Sequence, residues 1–230
     1  MDTIGALFSA VVRADPTRPL LTYYDDASGE RTELSGATLA NWVAKTANLL
    51  VDGSGLGSGD TAAVQLPPHW QTAAVLLGCW SAGVTVDMEG GPADVAFVAA
   101  DVLSSGSARP PGDVYGLALA PMAAPIRPAP PPGVQDYVVA VRAYGDQFRP
   151  VGPVGPALPG VSHGEMAARA MDRGLAAGAR VLVDGDATPD PVDWLLAPLA
   201  AGGSIVLCRH ADTTKLAGRA ETEKVTYRLD

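Results

Sequence analysis

Cysteine is nearly absent from this chain of 230 residues: Cys79 and Cys208 are the two present, and they form neither a C-x-x-C pair nor a ligand cluster. That excludes a disulfide framework and a structural zinc site. Both thiols lie inside apolar runs and are predicted to be small buried hydrophobes. A basic excess is also missing, because 16 Lys and Arg face 25 Asp and Glu for a formal charge of −9. Without surplus cations to displace phosphate counterions, no nucleic acid is expected as a partner. The same balance argues against an anionic membrane surface. No apolar run approaches the roughly 18 residues of a membrane span, and Met1-Asp2-Thr3 has neither the basic nor the apolar region of a signal peptide. A cytoplasmic protein with no membrane contact is therefore predicted. The three histidines, His69, His163 and His210, are far apart and lack i, i+4 partners, so no metal and no cofactor is expected.

What is present is an alternation of Ala-rich helical patterns with short Val/Leu-rich runs, the mark of an α/β protein with a largely parallel sheet. A helix is predicted over 3–14, burying Leu7, Phe8, Val11 and Val12 and stopped by Asp15-Pro16. The runs 19–24 and 31–34 around Asp25-Asp-Ala-Ser-Gly-Glu30 read as a hairpin. Ser35 fits the N-cap of a helix with Leu39, Trp42, Val43, Thr46, Leu49 and Leu50 on one face. A strand at 61–66 precedes a helix through Trp70 and Trp80 that is apolar on nearly every side and should be buried all round. Further strands are predicted at 84–87, 95–99, 114–120, 180–184, 204–208 and 224–229. Helices are predicted at 134–148, 162–176 and 191–201. Loops rich in Pro or Gly fall at 104–113, 121–133 and 149–160, and the middle one, with Pro128-Ala-Pro-Pro-Pro132, suggests extended polyproline. They divide one 1–230 region into possible lobes at 1–103 and 114–230.

Gly160-Val-Ser-His-Gly164 matches the G-x-S-x-G nucleophile elbow, and Asp186 or Asp190 followed by His210 would complete a Ser, Asp, His order for hydrolysis. An elbow must leave a buried strand, yet three prolines stand among the seven residues before Gly160, which opposes a central strand. The same residues also form a capping box, Ser162 with Glu165, and a staple, Val161 with Met166. Gly53-Ser-Gly-Leu-Gly-Ser-Gly59 follows a helix and precedes a strand, the reverse of a phosphate cradle, and reads as a helix end and loop. Asp184-Gly-Asp186 and Asp25-Asp26 read as turn acids.

The order of segments carries a resemblance. Tyr23-Tyr24-Asp-Asp-Ala-Ser-Gly-Glu30, Glu33-Leu-Ser35 leading into a Leu/Trp/Ala helix, and Gly57-Ser-Gly-Asp60-Thr-Ala-Ala-Val-Gln-Leu-Pro67 resemble the N-terminal region of adenylate-forming enzymes. Those are the acyl-CoA synthetases, peptide-synthetase adenylation domains and luciferases. Gly160-Val-Ser-His163 resembles that superfamily's "G-V-x-x-T-H" step. Leu195-Leu-Ala-Pro-Leu-Ala-Ala-Gly-Gly-Ser-Ile-Val-Leu207 resembles its "PLxxGGxxVL" step, and Glu223-Lys-Val-Thr226 the following strand. The runs 39–49 and 66–73 resemble a short actinobacterial family.

The resemblance implies a three-layer α/β fold, with mostly parallel sheets flanked by helices. It also implies a Ser/Thr/Gly-rich "SGTTGxPKG" loop gripping the ATP phosphates just before the "G-V-x-x-T-H" step. In its place stands Arg149-Pro-Val-Gly-Pro-Val-Gly-Pro-Ala-Leu-Pro159, with no lysine and no hydroxyl cluster. The later ATP-binding elements and the mobile lysine-bearing domain of the superfamily would lie beyond Asp230. Adenylation needs in-line positioning and charge neutralisation. The expectation is thus a non-catalytic relative working through protein contacts, as a homodimer or with another protein. Two alternatives stay open: a binder of an acyl group or nucleotide around Trp70, Trp80 and His163, and a serine hydrolase using Ser162, Asp186 and His210.

Overall fold

The computed structural model describes residues 3–104, 112–150, 152 and 154–229. The part of the first predicted loop at 105–111 lies outside these residues. Two compact units interleave along the chain. One comprises Met1–Leu39, Pro67–Ala73 and Gly164–Asp230, and the other Ala40–Leu66 and Ala74–His163. Their bounds differ from the lobes read from the Pro/Gly-rich loops: the chain crosses between units within the helix Gly36–Asn48, before and within the helix Trp70–Ala82, and at the start of the helix His163–Met171.

The first unit opens with α1 (Ile4–Ala14), capped by the Thr3 hydroxyl, which accepts from the Ala6 N–H at 3.1 Å. Ile4, Leu7, Phe8 and Val11 are buried, whereas Val12, expected inside, is half-exposed at the margin of the stripe. Strands β1 (Pro19–Asp25) and β2 (Glu30–Ser35) form the predicted hairpin, with Gly29 at φ 74° in the turn. Three further strands join β1 in parallel: β8 (Arg180–Asp184), β9 (Ser204–Arg209) and β10 (Tyr227–Leu229). The sheet order is β10-β8-β9-β1-β2. Buried Val181-Leu-Val183 and Ile205-Val-Leu-Cys208 are the continuous apolar runs that a parallel sheet covered on both faces requires.

The helix predicted at 162–176 is α6 (His163–Met171), which ends early with Gly174 at φ 66° beyond it. The one predicted at 191–201 is a π-helical stretch, Val192–Leu196, running into α7 (Ala197–Ala200). Helix α8 (Thr213–Thr222) was not read from the sequence, since Leu216 is its single buried hydrophobe and leaves no periodic stripe. Leu216 packs on Leu182, Val206 and Cys208. Just after α8, Glu223 accepts from Tyr24 (2.6 Å), Arg31 (2.9 Å) and Arg180 (2.6 Å). Arg219 donates to Asp26 at 2.8 Å and stands 4.1 Å over the Tyr24 ring. This largely buried ion network fastens α8 to the hairpin.

Helix α2 (Gly36–Asn48) begins in the first unit and ends in the second. Its predicted cap is formed, the Ser35 hydroxyl accepting from Thr38 N–H at 3.1 Å. A π-helical turn, Leu49–Gly53, extends it. The second unit then builds β3 (Thr61–Gln65), all but the first four residues of α3 (Trp70–Ala82), β4 (Thr85–Asp87), β5 (Val95–Ala99), α4 (Ala100–Ser104), β6 (Asp113–Leu117), β7 (Gln135–Asp136) and α5 (Tyr137–Val141). Its sheet, β4-β3-β5-β6-β7, is parallel throughout. Helix α3 is buried at every residue from Trp70 to Trp80, as its all-round apolar pattern predicted.

The long helix predicted at 134–148 is corrected to β7 and the five-residue α5. Asp136 delays the helix start by pairing beside β6 and accepting from the Val139 N–H at 3.0 Å. Side chains of α2 then claim the carbonyls beyond Val141: Lys45 donates to Tyr144 at 2.6 Å, and Asn48 to Gly145 and Gln147 at 2.8 and 2.9 Å. Tertiary partners thus outcompete a helix that the local pattern favours.

Candidate functional site

The segment before α6 decides what chemistry the second unit can support. Three prolines at 153, 156 and 159 carry no N–H. Gly155 N–H donates to the Gly83 carbonyl at 3.3 Å, and a side chain there would bring its Cβ to 2.9 Å from that oxygen. The Ala157 carbonyl receives Val86 N–H at 3.0 Å and the Trp80 indole N–H at 2.9 Å. Ala157 and Leu158 N–H both donate to Val161, and Val161 N–H donates back to Leu158. Six of the eight described positions from 154 to 161 therefore offer no backbone donor to a ligand. The segment is a strap laid along β4, tied from Gly83 to Val86.

Ser162 follows an isolated Leu158–Val161 bridge with Gly160 at φ 73° and sits one residue before α6. A sheet strand does not precede it, so the strained strand-to-helix turn of an elbow is not built here. His210 stands at the end of β9 with φ 47°, and its Nδ1 lies 2.7 Å from Asp25 rather than on Asp186. Asp186 instead accepts the His210 backbone N–H and the Arg209 side chain, each at 2.5 Å. Burial opposes ionisation of Asp25, but hydrogen bonds from His210 and Ser28 hold its carboxyl below the usual range. Asp190, the other acid considered, accepts from the Val192 N–H at 2.8 Å at the start of the π-helical stretch.

The three residues named for ligand binding are interior. Trp70 is 2% exposed and donates its indole N–H to Glu30 at 3.3 Å, and Trp80 is occupied by Ala157. His163 is 4% exposed, and burial lowers its pKa. Among the described residues no group of three or more His, Cys, Asp or Glu could hold a metal ion, and no helix is long and apolar enough to cross a membrane. The residue that sequence reasoning missed is Asp25, the carboxylate on His210. The turn acids were visible, but only the β1–β9 pairing places residue 25 beside residue 209.

The family described as AMP-binding enzyme matches residues 8–105. A TIGR03089 family protein of Mycobacterium tuberculosis is 48% identical over 233 residues, covering 96% of both chains. The chain belongs to the TIGR03089 family. This TIGR03089 chain also has the fold of the N-terminal region of adenylate-forming enzymes. Brucella canis acyl-CoA synthetase superposes with a TM-score of 0.73 at 22% identity, over 98% of this chain and 47% of the synthetase. Acetoacetyl-CoA synthetase of Streptomyces lividans gives 0.72 at 18% identity, over 98% and 42%. The N-terminal domain of FACL13 from Mycobacterium tuberculosis gives 0.69 at 14%, over 99% and 62%. The TIGR03089 chain thus spans about half the length of these solved relatives. At such identities the likeness is one of fold.

Proposed function

We propose that this chain is a non-adenylating member of the adenylate-forming superfamily that works through contacts with protein, a second copy of itself included. The observation that carries the reading is the strap at 154–161. A phosphate grip needs free backbone N–H groups, hydroxyls and a cation converging on the ligand. Here prolines remove two donors, backbone carbonyls engage four, and neither lysine nor a hydroxyl cluster stands in the segment.

A role in protein contact is supported by apolar side chains held outward in the second unit. Met122 is 91% exposed on the 3-10 turn Pro121–Ala123, and Val139 is 60% exposed on α5. Arg142 ties that turn to α5 by donating to the Ala123 carbonyl at 3.2 Å. Surface hydrophobes fixed in this way suit an interface. The test is carboxylate-dependent exchange of labelled pyrophosphate into ATP, run with a panel of aliphatic and aromatic acids, beside sedimentation across a concentration range. No exchange and a rising mass are expected. Exchange above background would overturn the first part, and a monomer with no captured partner the second.

A further inference from the structure

The first unit holds buried polar atoms that its own chain does not satisfy, and they cluster where the hairpin meets the first turn of α3. His69 is 1% exposed, and its Nδ1 accepts the Gln71 N–H at 3.0 Å. An Nδ1 that accepts carries no proton, so the neutral ring keeps its hydrogen on Nε2. Among the described residues that Nε2–H has no hydrogen-bond partner. Glu30 presents the complement. Its Oε1 accepts from the Thr32 hydroxyl at 2.5 Å and from the Trp70 indole at 3.3 Å, while its buried Oε2 has no partner among the described residues. Both groups border Trp70, whose ring centroid lies 5.6 Å from that of His69. The amide of Gln71, wholly buried, adds an unpaired donor and an unpaired acceptor one residue further on.

Neither orphan can repair itself. Flipping the imidazole would surrender the Gln71 N–H, and the Tyr23 ring at 4.3 Å fixes its plane. Turning the Glu30 carboxyl would release Thr32 or Trp70. Native proteins pair nearly all buried donors and acceptors, using ordered water or a ligand where the chain does not. The donor, acceptor and amide are therefore held ready for something outside the chain.

We infer that this junction is an internal binding site for a small hydroxyl-bearing guest, whose oxygen accepts from His69 Nε2–H and whose O–H donates to Glu30 Oε2. A hydroxyl is the smallest group that does both. Water and a small alcohol share that chemistry. The site lies in the first unit and is independent of the strap, so it stands or falls separately from the loss of adenylation.

The test is a crystal structure of the full chain at a resolution that orders water. Density within hydrogen-bond distance of both His69 Nε2 and Glu30 Oε2 is expected, and an empty, dry junction would overturn the inference. Mass spectrometry of the small molecules released on unfolding separates the sources: an organic hydroxyl compound in molar ratio identifies the guest, and none identifies water. Nitrogen-15 spectra of His69 give a second reading. They should show the Nε2–H tautomer with a cross-peak to the guest, and the Nδ1–H tautomer would count against the site.

Discussion

The indole N–H of Trp80, in the last turn of α3, donates to the carbonyl of Ala157 at 2.9 Å. One hydrogen bond within the second unit thereby joins the buried helix α3 to the strap that stands where relatives of this fold are expected to grip phosphate. The strap is itself largely at the surface, with Ala157 its one buried residue, and its course is held by this bond and by the backbone bonds to Gly83 and Val86.

Replacing Trp80 by Phe keeps an aromatic ring but removes this bond and leaves a void. Destabilisation of about 2–4 kcal/mol is expected from the lost bond and the cavity together. Urea unfolding of the full chain measures it, with the strap's exposure read by limited proteolysis between residues 150 and 162. An unchanged midpoint would show that the contact contributes nothing.

Two glycines mark places where backbones meet. A Cβ on Gly155 would fall 2.9 Å from the Gly83 oxygen, and one on Gly78 would fall 2.6 Å from the Thr46 side chain, across the approach of α2 and α3. Each change to Ala should cost about 1–3 kcal/mol through overpacking. Gly57, with open space around it, serves as the control, and Gly57→Ala should leave Tm within a degree or so.

Tyr137 buries its hydroxyl against Thr46 at 2.7 Å, while Thr46 also donates to the Trp42 carbonyl at 2.8 Å. Tyr137→Phe should therefore cost only about 1 kcal/mol, because Thr46 retains a partner. Thermal unfolding of the variant checks this.

Stability should fall on the acid side in two stages. His69 is held at about 3, against an ordinary 6.5, mainly by burial and then by Arg209. The unfolded chain therefore takes up that proton first, and stability declines as pH drops below about 6.5. Burial opposes ionisation of Glu223, yet hydrogen bonds from Tyr24, Arg31 and Arg180 outweigh it and hold the carboxyl at about 2. Asp26 is also held at about 2, chiefly by Arg219. A carboxyl depressed in the fold adds stability above its unfolded value and loses it as pH falls toward its folded value, so the steepest loss should lie between about pH 5 and 2. Glu223→Gln should lower stability at pH 7 by about 2–4 kcal/mol and flatten that lower stage. Denaturant midpoints from pH 8 to 3 measure both.

Much of the fold was legible in local pattern. The Ser35 cap, the 19–35 hairpin and the all-round apolar α3 each follow from a few neighbouring residues. The prolines at 153, 156 and 159 argued against a nucleophile elbow before any coordinates did, because a residue without an N–H does not serve a central strand. Helix 134–148 was misread for the converse reason: its apolar spacing is real, but Asp136 pairs beside Gly116 in the sheet, and Lys45 and Asn48, about a hundred positions away, bind the carbonyls of residues 144, 145 and 147 in a non-helical course. Helix α8 was invisible because its anchors, Arg219 and the neighbouring Glu223, are charged and bury themselves through partners on the hairpin.

By itself the sequence determined the class of the molecule: an acidic α/β chain without metal-ligand spacing, resembling the first part of adenylate-forming enzymes and lacking their phosphate-loop residues. Those properties reside in composition and short-range order, which need no folding to be read. Only the tertiary structure decided that Asp25 rather than Asp186 meets the His210 ring, that Trp70 and Trp80 are interior, and that His69 Nε2 and Glu30 Oε2 are buried without a partner among the described residues. Each of these depends on which distant strand or helix a residue is packed against, because burial removes water and leaves those neighbours as the groups a polar atom can meet.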